Sequence, residues 1–174
     1  MTFARLRAAD WVAFIAALAL LFVTALDWYS TVGGDEARRI EGLSDPAGAL
    51  GGEVEREVQE DSRLTAEAAE KNAWQVSGAI DRVILIGLLA TTALGVLAAF
   101  ARAGDRGARG VLPIGALAAL LACATALLVG YRVLQEPGLD EATVVKAGAP
   151  LALVVLGAFA LASAVSLRAE EEPA

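Results

Sequence analysis

Histidine is absent from this chain, and cysteine occurs once, as Cys123. Without histidine there is no imidazole to act as a general base near neutral pH, as a metal ligand or as an axial ligand for haem. A lone cysteine excludes an intramolecular disulfide and paired thiol redox chemistry. Set inside an aliphatic run, Cys123 reads as a small apolar packing residue. No nucleophile–base pair, zinc spacing or phosphate-binding loop is present, so the sequence points away from an enzyme and implies no cofactor or metal. Charge is scarce as well. Only 20% of the 174 residues are charged, 57% are hydrophobic, and the mean hydropathy is +0.59.

The apolar excess is concentrated in four uncharged blocks, residues 11–26, 83–101, 111–131 and 147–167. A hydrocarbon core of roughly 30 Å takes about 20 helical residues. The last three blocks meet that length, and the first reaches it with Ala8, Ala9, Trp28 and Tyr29. A soluble helix would show a polar stripe at helical period. None is visible between Leu112 and Gly130, where only Cys123 and Thr125 interrupt the aliphatics. The fold class expected is therefore all-α, a four-helix transmembrane bundle with spans at about 9–28, 80–102, 111–131 and 147–168. Arg5 and Arg7 ahead of the first block also resemble a signal peptide, with Val23-Thr24-Ala25 placed like a cleavage site. Asp10 interrupts that pattern and Leu26-Asp27-Trp28-Tyr29 closes it with an anchoring cluster, so a retained helix is favoured. Cleavage would leave three spans.

Orientation follows from arginine. The N-terminal ten residues, the 101–110 connector and the tail from 168 hold six cations in 27 residues, against eight in 72 on the other side. The positive-inside rule then places both termini in the cytoplasm, and the plasma membrane is the expected location. The 29–79 loop lies outside. Twelve acids from Asp27 to Glu70 face five cations, so the loop together with Asp27 carries −7, the net charge of the whole chain. Such a surface repels nucleic acid and attracts basic partners, or is simply solvated.

Within the loop, Gly33-Gly34 ends the region leaving the first span, and Ser44-Asp45-Pro46 followed by Gly51-Gly52 frames a short turn. From Glu53 the residues are good helix formers with apolar positions such as Val54, Val58 and Leu64 near helical spacing. The second membrane helix is thus expected to begin near Glu53 and run through residue 82, kinked around Gln75–Gly78. Val54, Val58 and Leu64 are expected to pack on the 46–50 turn or on another subunit. Glu136-Pro137-Gly138 reads as a turn, Pro113 and Pro150 as first-turn residues of the third and fourth helices, and residues 169–174 as a disordered tail.

Two features bear on function. Small residues four apart (Gly87, Thr91 and Gly95; Ala118, Ala122, Ala126 and Gly130; Ala158 and Ala162) suit close packing, within the chain or between copies. Asp27, Trp28, Tyr29, Trp74, Asp81 and Arg82 gather at the outer boundary, with Asp27 and Arg82 a candidate ion pair. They read either as an outward-facing site or as an interfacial aromatic belt. The stretch Leu26-Asp27-Trp28-Tyr29-Ser30, with Asn72-Ala73-Trp74-Gln75 and Ala79-Ile80-Asp81, resembles small bacterial four-helix membrane proteins. Those show a Trp-Tyr close to helix one and an Ala-Trp…Ile-Asp opening to helix two. Asp27 stands where that group commonly has proline, and the intervening loop here is longer and more acidic. The resemblance covers the first two helices and implies topology and outer-face anchoring, with no activity attached. The preferred expectation is a non-enzymatic membrane protein whose residues 30–75 engage another protein, the envelope or a second copy. The alternative is an outward-facing ligand-binding or transport-accessory component.

Overall fold

The computed structural model describes residues 6–43, 53–76, 78–104, 108–135 and 143–171. Helices α1 (Ala8–Thr24), α4 (Ala79–Ala103), α5 (Ala108–Leu134) and α6 (Gly148–Glu171) hold the four apolar blocks. Helices α2 (Val32–Leu43) and α3 (Glu53–Ala69) form a hairpin between the first two, and three short strands complete the chain: β1 (Asp27–Thr31), β2 (Lys71–Asn72) and β3 (Thr143–Val145). Three helices, Ala79–Ala103, Pro113–Leu134 and Gly148–Ala169, are long and apolar enough to cross a membrane; α1 is equally apolar but shorter, at 17 residues.

The apolar helices close a ring. α1 packs on α4 and α6, and α5 packs on α4 and α6. Their register can be read from close contacts. At mid-depth Gly95 of α4 is so near Phe159 of α6 and Ala17 of α1 that an added Cβ would stand 2.6 Å and 2.9 Å from them. Seven residues further along each of the three helices, Arg102, Ser166 and Asp10 meet in the same way. The matched steps show α1 antiparallel and α6 parallel to α4. They also show that Thr24, the last residue of α1, lies level with Leu88, and Gly148, the first of α6, level with Ile84. At 1.5 Å per residue, α4 therefore stands about 13 Å beyond α1 and about 7 Å beyond α6.

The strands fill that recess. β1 is central, antiparallel to β2 on one side (Asp27 with Asn72, Tyr29 with Lys71) and to β3 on the other (Tyr29 with Val145, Thr31 with Thr143). Trp28 and Tyr29 are 2% and 3% exposed and join the core formed by Leu20, Ile84, Leu88 and Phe159. The Trp28 indole donates to the Val23 carbonyl at 2.9 Å, satisfying one of the oxygens left open where α1 ends. Gly148 is required here, because a Cβ would sit 2.5 Å from Trp28 Cδ1 and 2.7 Å from the Asp27 carbonyl oxygen.

This architecture corrects several expectations. The chain is mostly helical, as expected, with a small sheet added: segments leaving α1 and leading into α4 and α6 converge on the recess, where their backbone groups pair with one another. The continuous helix from Glu53 through residue 82 is replaced by α3, β2 and a fresh start at Ala79, since the chain is pulled extended to pair with β1. Gly33 and Gly34 lie inside α2 instead of ending a segment, and Gly34 abuts Ala69 of α3. Pro113 is interior to α5, which begins five residues earlier, and α6 continues to Glu171 in place of a tail free from residue 169. Pro150 does fall in the first turn of α6. The expected turns at 44–52 and 136–138, with the 46–50 segment meant to cover Val58 and Leu64, lie outside the described residues.

Candidate functional site

One end of the bundle is organised by Asp81. It occupies the first turn of α4 close to Gly78, and the Arg132 guanidinium of α5 grips it bidentately, Nε to Oδ1 at 2.8 Å and Nη2 to Oδ2 at 2.6 Å. The carboxylate is 5% exposed and the guanidinium 15%, so little water competes for either. The Tyr29 hydroxyl, carried there by β1, is buried without a hydrogen bond of good geometry among the described residues. Burial, followed by the neighbouring Asp81 charge, pushes its pKa up to about 12, so it stays a neutral phenol.

The six residues expected at this boundary separate into two groups. Trp28, Tyr29 and Asp81 come together, buried between sheet and helices, where the two rings are core residues and not a lipid-facing belt. Asp27 and Arg82 are exposed and do not pair. Successive helical residues point about 100° apart, so an inward Asp81 turns Arg82 outward. The partner is instead Arg132, 51 positions away. Trp74 is 53% exposed, its indole donating to Thr24 Oγ1 at 3.2 Å.

A second polar cluster closes the other end. Asp10, 4% exposed, forms an ion pair with Arg102 Nε at 3.3 Å and accepts the Ser166 hydroxyl, and its Oδ2 accepts the Arg7 backbone N–H at 3.0 Å. One carboxylate thus caps α1 and ties α1, α4 and α6 together. The sequence signal was an acid and an arginine each placed just inside an apolar block. Asp81 and Arg102 are 21 residues apart on α4, about 31 Å of helix, which matches the hydrocarbon thickness of a bilayer. Between them the Thr91 and Thr92 hydroxyls are buried and lack partners among the described residues. The small-residue faces are used inside the chain: Gly87 meets Thr125, Gly95 meets Phe159, and Ala118 and Ala122 are buried. Ala162 is buried too, while Ala158 is exposed.

The third feature is an open cleft of about 710 Å³ above the sheet, between β1 with the start of α2 and the second half of α3. Its walls include Thr31, Gly34, Asp61, Leu64, Ala69 and Lys71. The hairpin that forms it is held by two ion pairs. Arg38 grips Glu70 at 2.5 Å and 3.2 Å, and Lys146 reaches Asp35 at 2.5 Å, which with burial opposing holds the Asp35 carboxyl below its ordinary range. Among the described residues no group of three His, Cys, Asp or Glu side chains is placed to hold a metal ion.

No protein family, curated protein or solved structure matches this chain.

Proposed function

We propose that the chain is a four-span membrane protein with both termini cytoplasmic, and that it presents the α2–α3 hairpin outside as a docking module for another protein. It acts by binding and carries out no catalysis. The span count is supported by the matched steps of α1, α4 and α6, which run α1 alongside membrane-length helices from Asp10 to Thr24. α1 crosses with only 17 residues because the buried sheet completes its path on the outer side. The orientation is supported by the denser arginine on the termini and the 101–110 connector.

The observation that carries the docking role is the condition of α3. It is solvent-facing and strongly charged, yet Val58 and Leu64 remain 51% and 52% exposed beside an open cleft. Apolar side chains rimmed by charge on an otherwise solvated helix mark protein contact surfaces. The other reading, an outward small-cation or headgroup site on Asp27, Asp81 and Arg82, loses its buried carboxylate to Arg132.

The test is photo-crosslinking in cells from an unnatural amino acid placed at Val58, with a second probe at the lipid-facing Leu120 as control. A discrete adduct from Val58 that disappears when Leu64 is changed to Asp is expected. Adducts identical from both positions, or none from Val58, would refute docking by the hairpin.

A further inference from the structure

The cleft has chemistry of its own beyond its being open. Along α3 its wall runs from Asp61 through Leu64 and Thr65 to Ala69, and it ends at Lys71 of β2. Among the described residues neither the Asp61 carboxylate nor the Lys71 ammonium has an ion-pair partner, although α2 and β1 residues bound the same space. The eight helical steps from Asp61 to Ala69 cover about 12 Å, so the two unpaired charges stand near opposite ends of a trough with an apolar middle. An extended peptide advances about 3.3 Å per residue, which makes the trough about four residues long. Its volume also falls in the range of small-ligand and peptide pockets.

The geometry points to a specific occupant: an extended segment of a partner protein with Lys or Arg at one end, an apolar side chain in the middle and Asp or Glu at the other. The basic end lies against Asp61, the apolar side chain against Leu64 and Ala68, and the acidic end against Lys71. The Thr31 hydroxyl, which accepts the Gly34 N–H, donates to a backbone carbonyl of the segment, and the Thr65 hydroxyl, which donates to the Asp61 carbonyl, accepts one of its backbone N–H groups. The surroundings set the sign of the larger partner. α2 and α3 carry nine acids against four arginines, a net −5, so the surface flanking this segment is basic. This assignment rests on the docking role of the hairpin and names the ligand chemistry for it.

The experiment uses the full-length protein in nanodiscs and a fluorescein-labelled, end-capped pentapeptide, Lys-Ala-Leu-Thr-Glu, read by fluorescence anisotropy. A matched peptide with glutamine at both ends is the reference. Each charge-assisted contact is expected to contribute about tenfold in affinity, so the dipolar peptide binds at least tenfold tighter than the reference. Asp61→Lys or Lys71→Glu alone abolishes that preference. The double variant restores it to within about threefold, because the peptide reverses in the trough. Ala68→Trp, at an exposed position, fills the cleft and blocks both peptides. The assignment is overturned if the wild type shows no preference, if the preference survives Ala68→Trp, or if an all-lysine peptide competes as well as the dipolar one. Crosslinking from Val58, which is outside the cleft wall, would still report a partner in those cases, so failure here is distinguishable from failure of the docking role itself.

Discussion

Asp10 of α1 and Arg102 of α4 form a buried ion pair, Oδ1 to Nε at 3.3 Å, that mirrors the Asp81–Arg132 pair at the opposite end of α4. One helix thus carries an acid at one end and a base at the other, each answered by a different neighbour. In a low-dielectric setting such pairs add little net energy, but they penalise every arrangement that leaves one charge alone. They therefore select which helices lie side by side.

Single and double substitutions separate these effects. Arg132→Met strands the buried Asp81 carboxylate and is expected to destabilise the protein by about 3–5 kcal/mol. Asp81→Leu with Arg132→Met removes both charges and should return most of that loss. A thermal-unfolding cycle in detergent micelles measures it. Additive losses in the double variant would show that the two residues are not coupled.

The second expectation concerns Gly95. A Cβ there meets Phe159 and Ala17 at 2.6 Å and 2.9 Å, with no free space on either side. Gly95→Val should cost about 1–3 kcal/mol by overpacking. Phe159→Leu in the same chain should recover part of it, whereas Gly157→Val, where nothing lies within 4 Å, should be close to neutral. Equal effects at the two glycines would contradict the assigned packing.

Thr91 makes the converse case. Its hydroxyl is buried, with 0% of the residue exposed, and finds no acceptor among the described residues. Thr91→Val keeps the shape and removes an unsatisfied group, so stability should rise by up to about 1 kcal/mol. A loss of that size in the same unfolding assay would mean the hydroxyl is bonded in the membrane.

The sheet can be followed by pH. Tyr29 has its pKa raised from 10.0 to about 12, so its neutral form stabilises the fold completely below pH 10. That contribution, at most about 3 kcal/mol, is lost as pH climbs from the ordinary value to the folded one. Unfolding midpoints between those values should fall more steeply for the wild type than for Tyr29→Phe. Parallel curves would place the phenol in water.

How much of this was legible in the sequence depends on the range of the interaction. The aliphatic blocks of α1, α4, α5 and α6, the start of α3 at Glu53 and the first-turn position of Pro150 were readable, because periodicity, propensity and capping act within a turn or two. The sheet was not. β2 is two residues long and β1 pairs with partners more than 40 and 110 positions away, so neither shows an alternating pattern. Trp28 and Tyr29 look like an interfacial anchor until the shortness of α1 opens the recess that buries them. Asp81 was recognisable as a costly charge, but its adjacent residue Arg82 was a misleading candidate for the guanidinium in that cluster. Direction around the helix, not proximity in sequence, selects Arg132. Asp10 looked like a flaw in an apolar segment because its partners are on α4 and α6.

The proposed placement of α3 on one side of the membrane, with the ends of α4 and α6 on the other, is open to direct measurement by labelling single cysteines with a membrane-impermeant maleimide, in a Cys123→Ser background. Glu57→Cys on α3, Gly104→Cys after α4 and Arg168→Cys near the end of α6 are all at exposed positions. In intact cells the expected result is labelling at Glu57→Cys alone, with the other two reacting only after permeabilisation. Labelling of Glu57→Cys and Gly104→Cys from the same side, or of all three in a detergent-free soluble fraction, would contradict it.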